Sequence, residues 1–168
     1  MLLTIAGIAS LAAVFNAIFP ALSRSSGAIV TSSAKVDERL RSDIEIIHTV
    51  GELDSDGAFA DTNANGRFEI FIWIKNVGET RITSIDETDL FIGQIGTFDR
   101  IPHLVDVQSG VYPRWEHDVE GSSDDTEWNP KQTLKITVDY DTDTQAQGFY
   151  DVKVSIPNGV TDDYFFSM

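Results

Sequence analysis

The chain has 168 residues, with 27 acidic against 12 basic ones, a net charge of −15 and no cysteine. That balance leaves no basic patch to displace counterions from phosphates and argues against nucleic acid as a partner. Without cysteine there is no disulfide framework, thiolate nucleophile or Cys-ligated zinc or iron site, and His48, His103 and His117 stand too far apart in sequence to mark a zinc centre.

Met1 to Leu22 carries no ionisable side chain. As one helix rising 1.5 Å per residue it would reach about 33 Å, enough for a hydrocarbon core of about 30 Å. Small residues among the Leu, Ile, Val and Phe allow close helix approach, and Asn16 would want a partner in apolar surroundings, so the segment suits helix against helix as well as helix in lipid. Leu3, Ile8, Leu11, Phe15, Asn16, Phe19 and Pro20 are its candidate assembly residues. The run lacks the positively charged start of a cleaved secretory signal, so it is expected to be retained.

Pro20 removes a helical donor and the Ser-rich stretch to Gly27 follows, which predicts a hinge near 20–27. Beyond it Ile29, Val36, Leu40 and Ile44 fall near one helical stripe, which predicts a second helical portion from Ala28 to Arg41. Residues 1–42 thus form a hydrophobic helix and amphipathic stalk. All the Asp and Glu lie beyond Val36, and 43–168 form an acidic domain.

In that domain the hydrophobic period changes to two. Strands are expected at Ile44–Val50, Arg67–Lys75, Arg81–Ile85, Asp89–Ile92, Tyr112–His117, Leu134–Tyr140, Phe149–Ile156 and Asp163–Ser167, with turns at Asn76-Val77-Gly78 and Pro157-Asn158-Gly159 and a long polar loop over Gly121–Asn129. Seven or eight short strands point to a β-sandwich. Phe68, Ile70, Ile72 and Ile74 share one face of the second strand. Phe71 and Trp73 on the other face belong either to a covered core or to a subunit contact. Trp115, between Arg114 and Glu116, and Trp128, between Glu127 and Asn129, are core residues or rim residues of a binding face, and their charged neighbours favour the rim.

Asp61, Asn63 and Asn65, followed by Gly66 and Glu69, place oxygen ligands as in the front half of a calcium loop. The twelfth position is Ile72 instead of a bidentate Glu, and the segment runs into a strand, so a solvated Asx-rich turn is the competing expectation. Asp54 and Asp56 could complete a shell, and Asp139, Asp141 and Asp143 form a second acidic cluster, expected to be a solvated loop. The sequence holds no nucleophile elbow, HExxH zinc signature or phosphate-binding glycine loop, so no enzyme is expected.

Asn16-Ala-Ile-Phe-Pro20-Ala21, Lys35-Val-Asp-Glu-Arg-Leu-Arg41, Asp43-Ile-Glu-Ile-Ile47, Phe71-Ile-Trp-Ile-Lys-Asn-Val-Gly78 and Asp89-Leu-Phe-Ile-Gly93 occur in an order that resembles the FlaG/FlaF group of archaellum accessory proteins. That group lies within the wider class of archaeal flagellins and type IV pilin-like proteins. The resemblance implies a mainly β chain with a long N-terminal α-helix, a type IV pilin-like helix followed by an immunoglobulin-like β-sandwich. The helix would lie in the cytoplasmic membrane or a filament core, and the β-domain would be extracytoplasmic in the archaeal cell envelope. Its partners would be archaellum subunits, its own copies or an S-layer protein, and its work would be to anchor or stabilise the motor or filament. The alternative is an archaellin or pilin that polymerises through its helices. The short basic leader usual in the family is not seen ahead of the apolar run, which points to an unprocessed form, a different start or a departure in maturation.

Overall fold

The computed structural model describes residues 30–56, 60–141 and 147–168. The expected apolar helix and hinge, with Leu3, Ile8, Leu11, Phe15, Asn16, Phe19 and Pro20, lie outside the described residues. The chain divides into two units at Glu38/Arg39. Residues 30–41 are helical and exposed, and no helix among the described residues is long and apolar enough to cross a membrane.

Residues 39–168 are mainly antiparallel β. One sheet orders β1 (Ile44–Gly51), β2 (Arg67–Asn76), β8 (Thr133–Asp141) and β6 (Arg114–Val119) as β1-β2-β8-β6. The second orders β10 (Thr161–Ser167), β9 (Phe149–Ser155), β4 (Asp89–Gln94) and β5 (Asp99–Ile101) as β10-β9-β4-β5, and β3 (Ile82–Thr83) pairs with β7 (Glu127–Trp128). The expected strand at Arg81–Ile85 is reduced to two residues, because Ser84 turns left-handed (φ 55°) into a 3-10 turn at Ile85–Glu87. The loop expected over Gly121–Asn129 contains β7.

Alternation explains the packing. Ile70, Ile72 and Ile74 of β2 pair across with Val138, Ile136 and Leu134 of β8, and all six are fully buried. They share one core with Leu90 and Ile92 of β4 and Val152 and Val154 of β9, so the two sheets face each other. Each such branched side chain contributes about 1.5–3 kcal/mol on burial. The remaining half-sites of the strands point outward, and those of the first sheet carry the chemistry described next.

Turns are fixed by side chains as much as by backbone. Asn76 is fully buried: its amide donates to the Thr80 and Trp128 carbonyls at 2.9 and 3.1 Å, and its oxygen accepts from Gly78 N–H at 3.2 Å. Gly78 is required by crowding, since a Cβ there would meet Asp43 N at 2.4 Å. At the other predicted turn, Asn158 donates to Ser42 Oγ at 2.7 Å and accepts from Val160 N–H at 3.1 Å, with Gly159 at φ 83°.

Candidate functional site

The outward face of the first sheet follows from register. Trp73 lies across from His48 on β1 and Lys135 on β8, and Phe71 lies across from Val50 and Thr137. His48 stacks on Trp73 at 5.7 Å between ring centroids, and the Lys135 ammonium sits 4.7 Å from the centre of Phe71 and 5.9 Å from that of Trp73. Trp73 Nε1 donates to Glu120 at 3.4 Å. Phe71 and Trp73 are half-buried, their rings tilted 45° to one another, leaving an aromatic surface with a cation over it.

One row further along, Glu69, Asp139 and Arg114 lie side by side on β2, β8 and β6, with Glu52, just past the end of β1, beside Glu69. Glu69 pairs with Asp139, Asp139 pairs with Arg114, and Glu52 N–H donates to Glu69 C=O at 2.8 Å. Glu52, Glu69 and Asp139 are 6, 9 and 3% exposed. Asp139 Oδ2 accepts from Arg67 at 2.9 Å and from Arg114 at 3.4 Å, and both guanidinium groups lie over the Tyr112 ring. Asp139 is thus the centre of a buried ion cluster and not, as expected from its sequence neighbours, a solvated loop charge; its strand position turns it toward the two arginines.

The structure does bring Asp61, Asn63, Asn65 and Glu69 together. Glu69 accepts from the Asn63 and Asn65 amides at 2.9 and 2.8 Å, while Asp61 accepts from the N–H groups of Asn65 and Gly66 at 3.0 and 2.7 Å. Glu52 Oε1 holds both the N–H and the hydroxyl of Thr62, and its Oε2 is buried without a hydrogen-bond partner. Asp54 closes its own turn by accepting from Asp56 N–H at 2.9 Å. The loop's acceptors therefore serve its own donors, and no group of three or more His, Cys, Asp or Glu among the described residues is placed to hold a metal ion.

Trp115 is corrected from rim to core. It is 1% exposed, and Trp128 is fully buried. Their charged neighbours misled because residues i ± 1 on a strand point to the opposite face. Trp115 packs edge-on against His103 at 4.3 Å, and His103 Nε2 lies 3.2 Å from His117 Nδ1. Fourteen residues of sequence separation hid this histidine pair, which the Pro102 carbonyl joins to β6 through Trp115 N–H at 3.0 Å. Burial foremost, and then the His117 beside it, hold the His103 imidazole below its ordinary pKa, while Asp86 and Asp106 oppose that shift.

A surface that sequence reasoning missed lies on the second sheet, where Phe149 and Phe165 are 73 and 62% exposed. No periodicity betrayed it, since exposed and buried phenylalanines look alike in a strand pattern.

The strands of these two faces are arranged as in known proteins. The archaellum periplasmic stator protein FlaG from Sulfolobus acidocaldarius superposes with a TM-score of 0.54 at 20% identity, over 74% of this chain and 99% of that one. The archaellum periplasmic stator protein complex FlaF and FlaG from the same organism gives 0.51 at 21% identity, over 73% of this chain and 87% of that one. In sequence, a protein of Archaeoglobus fulgidus described only as uncharacterized is 27% identical over 168 residues, 98% of this chain and 93% of its own. The profile of archaeal-type flagellin matches residues 3–166, and the chain belongs to that family.

Proposed function

We propose that the protein is a non-enzymatic structural component of the archaellum machinery, an accessory subunit that anchors or stabilises the motor or filament through its β-sandwich. The observation that carries this reading is the likeness in fold to a stator protein, over 74% of this chain and 99% of that one. In this reading the head is extracytoplasmic and Met1 to Leu22 holds the chain in the cytoplasmic membrane. The Phe71–Trp73–His48 surface contacts a related archaellum subunit, as FlaF and FlaG associate in their complex, or an S-layer protein.

The membership in a flagellin family supports a second reading, a filament subunit whose N-terminal helices bundle as the core. Electron microscopy of the purified full chain before and after detergent removal separates the two. An accessory subunit gives small assemblies without long filaments, whereas unaided growth of regular filaments contradicts the accessory role.

A calcium ion at the Asp61–Glu69 loop also belongs to this proposal. It would replace the Asn63 and Asn65 amides on Glu69 and engage the free oxygen of Glu52. A rise in melting temperature on adding millimolar calcium, lost in Glu69→Gln, supports it; an unchanged transition in calcium and in chelator overturns it.

A further inference from the structure

β6 is the outer strand of its sheet, with β8 on one side. Its other edge is covered by loop residues. The Pro102 carbonyl accepts from Trp115 N–H at 3.0 Å, where His103 makes a single parallel bridge to Trp115, and Asp125 Oδ1 accepts from Val119 N–H at 3.0 Å. A histidine accompanies each cover. His103 follows Pro102 in the chain, and His117, midway between the two covered amides, meets the Asp125 carbonyl through Nε2 at 3.1 Å. The 3.2 Å contact between His103 Nε2 and His117 Nδ1 ties the two covers to each other.

The partners of the four ring nitrogens fix where the protons sit. Val105 N–H can only donate, so His103 Nδ1, 3.4 Å away, holds a lone pair and its Nε2 holds the proton. The Asp125 carbonyl can only accept, so His117 Nε2 holds its proton and Nδ1 accepts from His103. Two protons, one on each neutral ring, therefore satisfy all three contacts. A third sets donor against donor, either at Val105 N–H or between the rings. Both of those contacts belong to His103, whereas His117 Nε2 donates to Asp125 in every protonation state.

The charged groups about the pair are Asp86 of the 3-10 turn at Ile85–Glu87, Asp106 of the turn Leu104–Asp106 and the Asp125 carboxylate. On β6 itself, Arg114, Glu116 and Asp118 alternate with Trp115, His117 and Val119 and so lie on the opposite face. Asp86 and Asp106 attract an imidazolium at position 103 and give it an alternative to His117.

We propose that the His103–His117 pair is an acid-opened latch: neutral, it holds the 102–106 segment over the β6 edge, and protonated, it frees that segment and bares the Trp115 amide while Asp125 stays over Val119. The neutral latch guards a strand edge, a place where chains pair. It is shut above the ordinary histidine value of 6.5 and opens as pH falls from there toward the lowered value of His103. The device lies within the head and stands whatever the head is attached to.

Amide hydrogen exchange of the full chain in detergent micelles tests it, read residue by residue by NMR at pH 7.5 and 5 and corrected for the intrinsic pH dependence of exchange. From the higher pH to the lower, protection at Val105 and Trp115 is expected to fall about tenfold further than at Val119 and the β2 and β8 amides, which follow the stability of the whole head. His103→Gln with His117→Gln keeps Asp86, Asp106 and Asp125 but removes both titrating rings, and is expected to abolish that difference. Proton–nitrogen correlation spectra of the wild-type rings at pH 7.5 are expected to place the proton on Nε2 of both. A proton on Nδ1 of either ring overturns the proposal, as does an equal fall in protection at all these amides. So does a selective fall at Val105 and Trp115 that persists in the double variant. The two wild-type measurements decide the matter even where the double variant fails to fold.

Discussion

Asp139 is a residue outside the apolar core whose removal has a large consequence. It neutralises Arg114, whose side chain is 12% exposed, and Arg67, at 35%. Taking away the anion leaves a guanidinium group buried without a counter-charge, which costs about 3–5 kcal/mol. Asp139→Asn is therefore expected to lower the unfolding free energy by that amount, read as a lower denaturant midpoint at constant slope. A loss below about 1 kcal/mol would show the pair to be solvent-screened. His103 gives a second expectation at this scale. Its folded pKa is below the ordinary 6.5, so the unfolded chain binds the proton more readily. The stability it contributes is complete above 6.5 and declines as pH falls through 6.5 toward the lowered folded value. Thermal unfolding between pH 7.5 and 5 should show this decline in the wild type and a flatter profile in His103→Gln. An identical slope in both would remove the histidine from the account.

At the scale of elements, the strands declare themselves by alternation, and β2, β8 and β9 are legible in the sequence nearly to the residue. That signal is local: each strand writes its own inward face with Ile, Val and Leu. What is illegible depends on the order in which strands meet. The row Glu52–Glu69–Asp139–Arg114 joins four segments drawn from across the domain, and no spacing within one segment reveals it. Trp115 is hidden for a related reason, since Arg114 and Glu116 report on the face it does not share. Trp115→Ala is accordingly expected to cost about 3–5 kcal/mol, as a large side chain removed from a packed interior does. Trp73→Ala, on the half-buried outward face, should cost far less stability. Reversed magnitudes in chemical denaturation would return Trp115 to the rim. The edge of β1 shows another feature that strand pattern could not supply. A bulge between Ile46 and His48 interrupts its pairing, and Asp162 from β10 accepts Ile46 N–H at 2.7 Å. A covered and bulged edge of this kind resists pairing with a stray strand.

For the whole molecule, the chain belongs to the archaeal-type flagellin family and its strands are arranged as in the stator protein FlaG. The domain offers two outward faces of different character: a stacked Trp–His surface beside a buried ion cluster on one sheet, and the exposed Phe149 and Phe165 on the other. A strongly acidic head disfavours close packing of many identical copies and suits attachment to unlike neighbours. The apolar run Met1 to Leu22 was legible from composition alone, as was the acidity of everything beyond Val36, because both are properties of counts and not of contacts. The central claim is that this chain serves the archaellum from its anchorage in the envelope. Gold-labelled antibody fragments raised against the head, imaged on intact cells and on sheared filaments, test it most directly. The account predicts label confined to the envelope around the filament base and none along the shaft; label spaced regularly over the length of the shaft would contradict it.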